Sequence, residues 1–342
     1  MVAKVNIFLT LSNKSSNYLK KVFSLTFVRV INLIFAKLKL KKRIIMLEFK
    51  LITPEDKEIF DSFYKYKTIK NCETAFANLC AYSFALHGEY AIIDNTLITR
   101  VHFKLNQEIC YHCPTGKGDK VKIINQLIDD SKEKGFTMKM MIDCEEVFKE
   151  NFCSRFTCEH KREYFDYIYL RESLATLSGK KLQAKRNHVN KFTKTYEYEY
   201  IKIDSSNIHL CVDFAERWLV ENSKTNPENL NGYHEELIVI KYFAGHFNDL
   251  GLIAGAILVE GKMVAFTLGS KVNNETFCTH IEKANKDYDG AYSVINKEFA
   301  NHLPEEFIYI NREEDLGLEG LRKAKLSYNP IELITKTVAT LL

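Results

Sequence analysis

One order of elements occurs twice in this chain, and it limits the fold more than any other feature. Alternating apolar residues predict strands at 89–94, 97–103 and 108–113, with a tight turn at Asn95. The turn PTGKG follows, then a helix over 119–134 with Val121, Ile124, Leu127 and Ile128 on one face and Gly135 as its stop. A strand at 136–142 returns. The second half repeats this order. Strands are predicted at 252–259, 263–270 and 275–281, with turns at Glu260-Gly261 and Asn273-Asn274. The loop KANKDYDG, a helix over 291–302 and a strand at 307–310 complete it. Helices precede each meander, at 54–64 and 72–86 in one half and at 206–221 and 233–247 in the other. The expected fold is α+β, with two mixed sheets flanked by helices.

Charge is distributed unevenly. Residues 1–45 carry ten Lys and Arg and no acid, so the net charge of +4 belongs to that extension and the body is acidic overall. A general affinity for nucleic acid is therefore not expected, and any polyanion contact must be local. Within the extension, 22–36 is apolar but only fifteen residues long and interrupted by Arg29, too short for a membrane span of about 20 residues. Two readings stay open: residues 20–43 form an interfacial helix on an anionic membrane, or Met46 is the true start. The nine cysteines have no disulfide-framework spacing, which suits a reducing cytoplasm. Cys110 and Cys113 form a CxxC, with Cys153, Cys158 and His160 about forty residues on. If Cys110–Cys113 is extended, i and i+3 point to opposite faces, so these cysteines are read as small buried side chains and no metal is expected.

Two polar segments stand out. Residues 177–196 contain Lys180, Lys181, Lys185, Arg186, Lys191 and Lys194 and no acid before Glu197, with Leu182, Val189 and Phe192 on one helical stripe. Residues 311–330, NREEDLGLEGLRKAKLSYNP, follow the last repeated strand and hold four acidic and four basic side chains. Charges at the mouth of a buried strand suggest a polar ligand, because desolvating them otherwise brings no return. An internal salt-bridge network is the other reading for Arg312, Glu314 and Asp315.

LSGKKLQAKRNHVNKF at 177–192, DYDGAYSVINKEF at 287–299 and YINREEDLGLEGLRKAKLSYNP at 309–330 resemble the family named for the C-terminal domain of bacterial phosphatidylglycerol lysyltransferase; PTGKGD at 114–119 fits more loosely. The resemblance covers about 46–342. It implies a tandem GNAT-like acyltransferase fold, similar also to the Fem-type aminoacyltransferases. We expect an extension at 1–45, an N-terminal unit at 46–165 and a C-terminal unit at 166–342. Some relatives move an aminoacyl group from tRNA to a lipid headgroup. The implied reaction is acyl or aminoacyl transfer to an amine or hydroxyl, on a small molecule, peptide or lipid headgroup.

Such transfer needs positioning, a proton acceptor and stabilisation of an oxyanion. Lys325 or Tyr328 is expected to donate to the oxyanion, and Asp315 or Glu313 to take the proton. Arg322, Arg312, Lys185 and Arg186 are expected to hold phosphates. Lys181, Asn187, Asn311 and Ser327 complete the candidate substrate-binding set. The two polar segments should face one cleft, with Lys325, Arg322 and Arg186 pointing into it. Asp287 and Asp289 sit where an acyl-CoA pyrophosphate would rest on a helix N-terminus, which favours aminoacyl-tRNA as donor over acyl-CoA; no tightly bound cofactor is expected. PTGKGDK is not a Walker loop, because no Ser or Thr follows the GK. The alternative functions are an acyl-CoA-dependent N-acetyltransferase and a binding module that kept the fold without turnover. A cytoplasmic location is expected, with peripheral membrane contact if 20–43 is interfacial.

Overall fold

The computed structural model describes residues 47–82, 86–103, 108–142, 145–225 and 227–342. Both expectations for residues 1–45 lie outside these residues. No described helix is long and apolar enough to cross a membrane.

The first half runs β1 (Lys50–Leu51), α1 (Lys57–Phe63), α2 (Phe76–Ala81), β2 (Leu86–Ile93), β3 (Thr96–Phe103), β4 (Glu108–His112), β5 (Thr115–Gly116), α3 (Lys120–Lys134), β6 (Met138–Ile142), α4 (Glu145–Asn151) and β7 (Phe156–His160). The second runs β8 (Asp166–Leu170), α5 (Arg171–Thr176), α6 (Gln183–Thr195), β9 (Tyr198–Ile203), α7 (His209–Thr225), α8 (Leu230–Gly245), β10 (Ile253–Val259), β11 (Lys262–Lys271), β12 (Thr276–Ala284), α9 (Ala291–His302), β13 (Tyr309–Asn311), α10 (Glu319–Leu326), β14 (Glu332–Ile334) and β15 (Thr337–Leu341).

Local chemistry explains the repeated hairpins. Asp94 and Asn95 have φ of 48° and 55°, and Glu260 and Gly261 have φ of 50° and 72°, the paired left-handed geometry that matches the twist of two-residue hairpins. Asp119 caps α3 through the Lys122 N–H, and Gly135 ends it at φ 71°. The segment expected as a helix over 72–86 is instead a short 3-10 turn at 72–74, the six-residue α2 and the start of β2.

Each meander continues into a parallel strand, β4 with β6 and β12 with β13, so both sheets are mixed. The first sheet has the order β1-β2-β3-β4-β6-β15-β7, with β5 on β3, and the second β14-β8-β13-β12-β11-β10-β9. In corresponding places, the strand beside the parallel strand comes from far away in the chain. β15 lies between β6 and β7, and β8 lies between β13 and β14. Counted by repeat, β8 follows β7 as β15 follows β14, so each repeat places its last strand in the other's sheet. Sheet membership changes between 160 and 166 and changes back between 334 and 337. We propose 165/166 as the division between units, with β15 returned to the first.

Two large cores follow. One joins α1, α2, α7 and α8 to both sheets through Phe60, Phe76, Phe214, Phe243 and Phe266. The other packs α5, α6 and α9 on the opposite face of the second sheet through Leu174, Phe192, Phe277 and Phe299.

Candidate active site

β12 and β13 pair only over Thr276↔Tyr309, Phe277↔Ile310 and Cys278↔Asn311, and then part. At the parting, β12 is bulged. Across to β11, Leu268 faces Ile281 and Gly269 faces Thr279, so His280 has no opposite residue. His280 and Ile281 accordingly turn to the same face: the His280 ring lies 5.5 Å from Phe243, and Ile281 shares that core. Gly269 makes the close approach possible, since a Cβ there would sit 1.9 Å from the Cys278 carbonyl oxygen.

On this face, towards α8 and the first half, the Ser270 Oγ lies 2.8 Å from His280 Nε2, and His280 Nδ1 lies 2.9 Å from Glu313 Oε1. Asn78 Nδ2, from α2, donates to the same carboxylate oxygen at 3.0 Å. Burial pushes the Glu313 carboxyl up, but His280, Asn78 and Lys325 outweigh it and hold it below the usual range. Sequence reasoning had Glu313 but missed Ser270 and His280. Both flank the Asn273-Asn274 turn, but hairpin register sets Ser270 against Cys278, and the bulge that brings His280 to it has no local signal in the sequence.

Beside this lies the link between the halves. Lys336 Nζ, on the crossing into β15, meets Asp166 Oδ1 at 2.8 Å, Glu314 Oε2 at 3.0 Å and Glu73 Oε1 at 3.1 Å. Asp166 opens β8, so one ion pair pins both strand crossings. Asp166 also accepts from the Cys72 N–H and from Asn311 Nδ2, each at 2.8 Å. Burial, with Glu73, Glu313 and Asp166 nearby, raises the Glu314 carboxyl to about 7 despite Lys336. The folded chain therefore binds this proton more tightly than the unfolded chain does. Stability from Glu314 is lost as pH rises from about 4.5 to about 7. The stability of Glu314→Gln relative to the parent is expected to grow across that range and to level off above it. Urea titrations at stepped pH check this, and a pH-independent difference counts against it.

On the opposite face, Arg312 Nη2 donates to Glu282 Oε1 at 2.8 Å, and Asn296 Nδ2, from α9, donates to Glu282 Oε2 at 3.2 Å. Arg312 stands over the Tyr328 ring at 4.7 Å, and Lys185 Nζ, from α6, over the same ring at 4.2 Å. Burial and the neighbouring Arg312 lower the Lys185 ammonium from its usual value. Tyr328 is buried, with its hydroxyl 3.4 Å from Ser293 Oγ.

Several expected site residues serve the fold instead. Asp315 is fully buried and receives Arg322 Nε at 2.9 Å and Nη2 at 2.8 Å, Arg162 Nη1 at 3.1 Å and the Tyr167 hydroxyl at 2.6 Å. Arg322 and these partners hold its carboxyl well below the usual range, so it is a poor proton acceptor. Arg322 is thereby committed and does not point into a cleft as expected. Arg186 does not either: its Nη1 donates to the carbonyls of Leu177 and Gly179 and closes that turn. Lys325 is buried, with Nζ on the carbonyls of Arg312 and Glu314, so it fixes the 312–314 turn. Asn311 Oδ1 accepts the Glu313 N–H at 2.6 Å and orients the same turn. Ser327 donates to the Ala324 carbonyl at 2.6 Å, while Lys181 and Asn187 are exposed on and beside α6. Cys110 is buried while Cys153 and Cys158 are exposed, and the close groupings of metal-type ligands among the described residues are Cys278, His280 and Glu313, and Cys72, Glu73 and Glu314.

Residues 65–340 match the family described as phosphatidylglycerol lysyltransferase, C-terminal. The chain belongs to this family. It is 28% identical over 176 residues to an uncharacterized protein of Mycoplasmoides gallisepticum, an alignment spanning 50% of this chain and 54% of that protein, so the chain spans about half of the curated relative it matches. Among solved structures, a conserved protein of unknown function from Bacteroides thetaiotaomicron VPI-5482 is 42% identical, with a TM-score of 0.82 over 87% of this chain and all of that one. L-PGS from Bacillus licheniformis aligns at 16% identity and a TM-score of 0.51, over 83% of this chain and 91% of that one. FemX aligns at 9% identity and a TM-score of 0.52, over 86% and 98%. At those identities the likeness shows the fold, α+β with two mixed sheets.

Proposed function

We propose that this family member is an aminoacyltransferase, moving an aminoacyl group borne on tRNA to an amine or hydroxyl acceptor. The observation that carries this reading is the pair of cations, Lys185 and Arg312, held over one aromatic ring where the acid-free helix α6 meets the parted strands. Glu282 offsets one of the two charges and its oxygens are taken by Arg312 and Asn296, so the half-buried Lys185 still meets repulsion from Arg312. A carbonyl oxygen gaining negative charge, or a phosphate, relieves that repulsion. Lys180, Lys181 and Lys194 continue the positive charge outward on exposed positions, where a polyanion backbone can lie. Tyr328 supports the two cations, and Lys325 and Asn311 position the 312–314 turn; Arg312 and Glu313 leave that turn to opposite faces where β12 and β13 part, and through this gap Glu313, by way of His280, accepts the acceptor's proton.

Acyl-CoA fits less well. The N-terminus of α9, the natural seat for a pyrophosphate, is covered by α6. A Cβ at its cap, Gly290, would lie 2.7 Å from the His188 carbonyl oxygen. Asp289 beside it is paired with Lys191 at 2.6 Å. The acceptor class, whether a small molecule, a peptide or a lipid headgroup, is part of the proposal only as an amine or hydroxyl.

The test is loss of radiolabelled amino acid from a charged tRNA pool in the presence of hydroxylamine as surrogate acceptor, beside thiol release from acetyl-CoA. Enzyme-dependent transfer from tRNA is expected, slowed about a hundredfold in Arg312→Ala. Lys185→Ala should weaken tRNA binding and reduce its salt dependence. Thiol release without any transfer from tRNA would make the donor acyl-CoA instead.

A further inference from the structure

Ser270, His280 and Glu313 make a continuous chain of hydrogen bonds, 2.8 Å from Ser270 Oγ to Nε2 and 2.9 Å from Nδ1 to Glu313 Oε1. We propose that Ser270 is a nucleophile activated by His280 and Glu313, so that transfer passes through an aminoacyl ester on this serine. The proposal rests on the aminoacyltransferase reading above.

Three features of the backbone build this constellation. The bulge in β12 turns His280 towards β11. Glu313 holds a left-handed φ of 54°, unusual for a residue with a side chain and a cost the local structure must over-determine. Asn311 does so by accepting the Glu313 N–H, and Asn78 by binding its carboxylate. A carboxylate on Nδ1 favours the tautomer that carries its proton there, which leaves Nε2 as acceptor. Nε2 faces the Ser270 hydroxyl. Nε2 is thus placed to take the Ser270 proton, the arrangement that activates a serine.

The chemistry balances without a cofactor. Ser270 Oγ bonds to the ester carbonyl carbon and its proton passes to Nε2. The bond from that carbon to the ribose oxygen breaks, and the ribose oxygen takes the proton from Nε2. The acceptor amine or hydroxyl then attacks the Ser270 ester, giving its proton to Nε2. The carbon–Oγ bond breaks, and Oγ recovers the proton. Ser270 is only 2% exposed, and the turn holding Cys72 and Ala75 packs on neighbouring Val272 and Cys278. The Glu313 side chain, 21% exposed, marks the side open to solvent.

The experiment incubates the full chain with charged tRNA, quenches in acid and maps the Ser270 peptide by mass. In parallel, a small alkyl fluorophosphonate is offered to the parent and to Ser270→Ala and His280→Asn, with melting curves as folding controls. An aminoacyl mass increase on Ser270 is expected, with transfer reduced at least a hundredfold in both variants. Fluorophosphonate should label Ser270 in the parent and fail to label it in His280→Asn. Parent-level transfer by a folded Ser270→Ala, with no adduct, overturns the proposal and leaves direct transfer. Because phosphonate mapping uses the unaltered protein, absence of label at Ser270 counts against the proposal even if the variants do not fold. Label on Ser270 with no transfer from tRNA upholds the activated serine and overturns the tRNA donor instead.

Discussion

Replacing Lys336 by Met is expected to lower the unfolding free energy by about 3–5 kcal/mol near neutral pH, as removal of one partner from a buried ion pair does. The reason lies in what remains. Lys336 is 3% exposed and faces Asp166, which is fully buried, together with Glu314 and Glu73. Without the ammonium, fully buried Asp166 is left with Asn311 and the Cys72 N–H and thiol as its donors, while Glu73 is 39% exposed and meets water. The loss is also mechanical, because Asp166 and Lys336 stand at the two places where the chain changes sheets. The defect should shrink as pH falls towards 5, where Glu314 takes up a proton. Lys336→Met with Glu314→Gln should recover part of the loss. Urea unfolding of the two variants decides this. A cost below about 1 kcal/mol would mean that the strand exchange holds without its ion pair.

Gly269→Ala should be at least as damaging, by more than about 3 kcal/mol, and should abolish transfer in whatever protein remains folded. The new Cβ would lie 1.9 Å from the Cys278 carbonyl oxygen and 2.6 Å from the Phe277 ring. The nearest obstacle is backbone within a close-packed sheet, so the clash cannot be relieved by a rotamer change. Separating β11 from β12 here would move His280 away from Ser270. Gly320→Ala in α10 is the control, because nothing lies within 4 Å of its added Cβ. It should leave stability unchanged or raise it by up to about 1 kcal/mol. Melting curves and transfer rates on both variants test the contrast. Equal behaviour would mean that the bulge tolerates a wider strand spacing than the packing allows.

The sequence by itself determined the repeated meanders and the helix with its return strand in each half. These are local matters: Asn95 and Glu260-Gly261 supply the left-handed turns, and Asp119 and Gly135 supply the ends of α3. The family was also legible, in the contiguous stretches at 177–192, 287–299 and 309–330, as was the concentration of polar chemistry after β13. Tertiary structure decided the rest. The exchange of β8 and β15 has no local signature, because the two strands between which a short segment inserts are set by long-range pairing and packing. Charge alone did not separate Asp315, neutralised by two arginines and a tyrosine, from Glu313, whose left-handed backbone aims it at His280. Nor did it separate Arg186, bound to carbonyls of its own turn, from Lys185 one residue earlier, which reaches Tyr328. Ser270 and His280 look ordinary in the sequence. They meet only because one extra residue in β12 turns a ring towards its neighbour, a displacement that exists only once the two strands are paired.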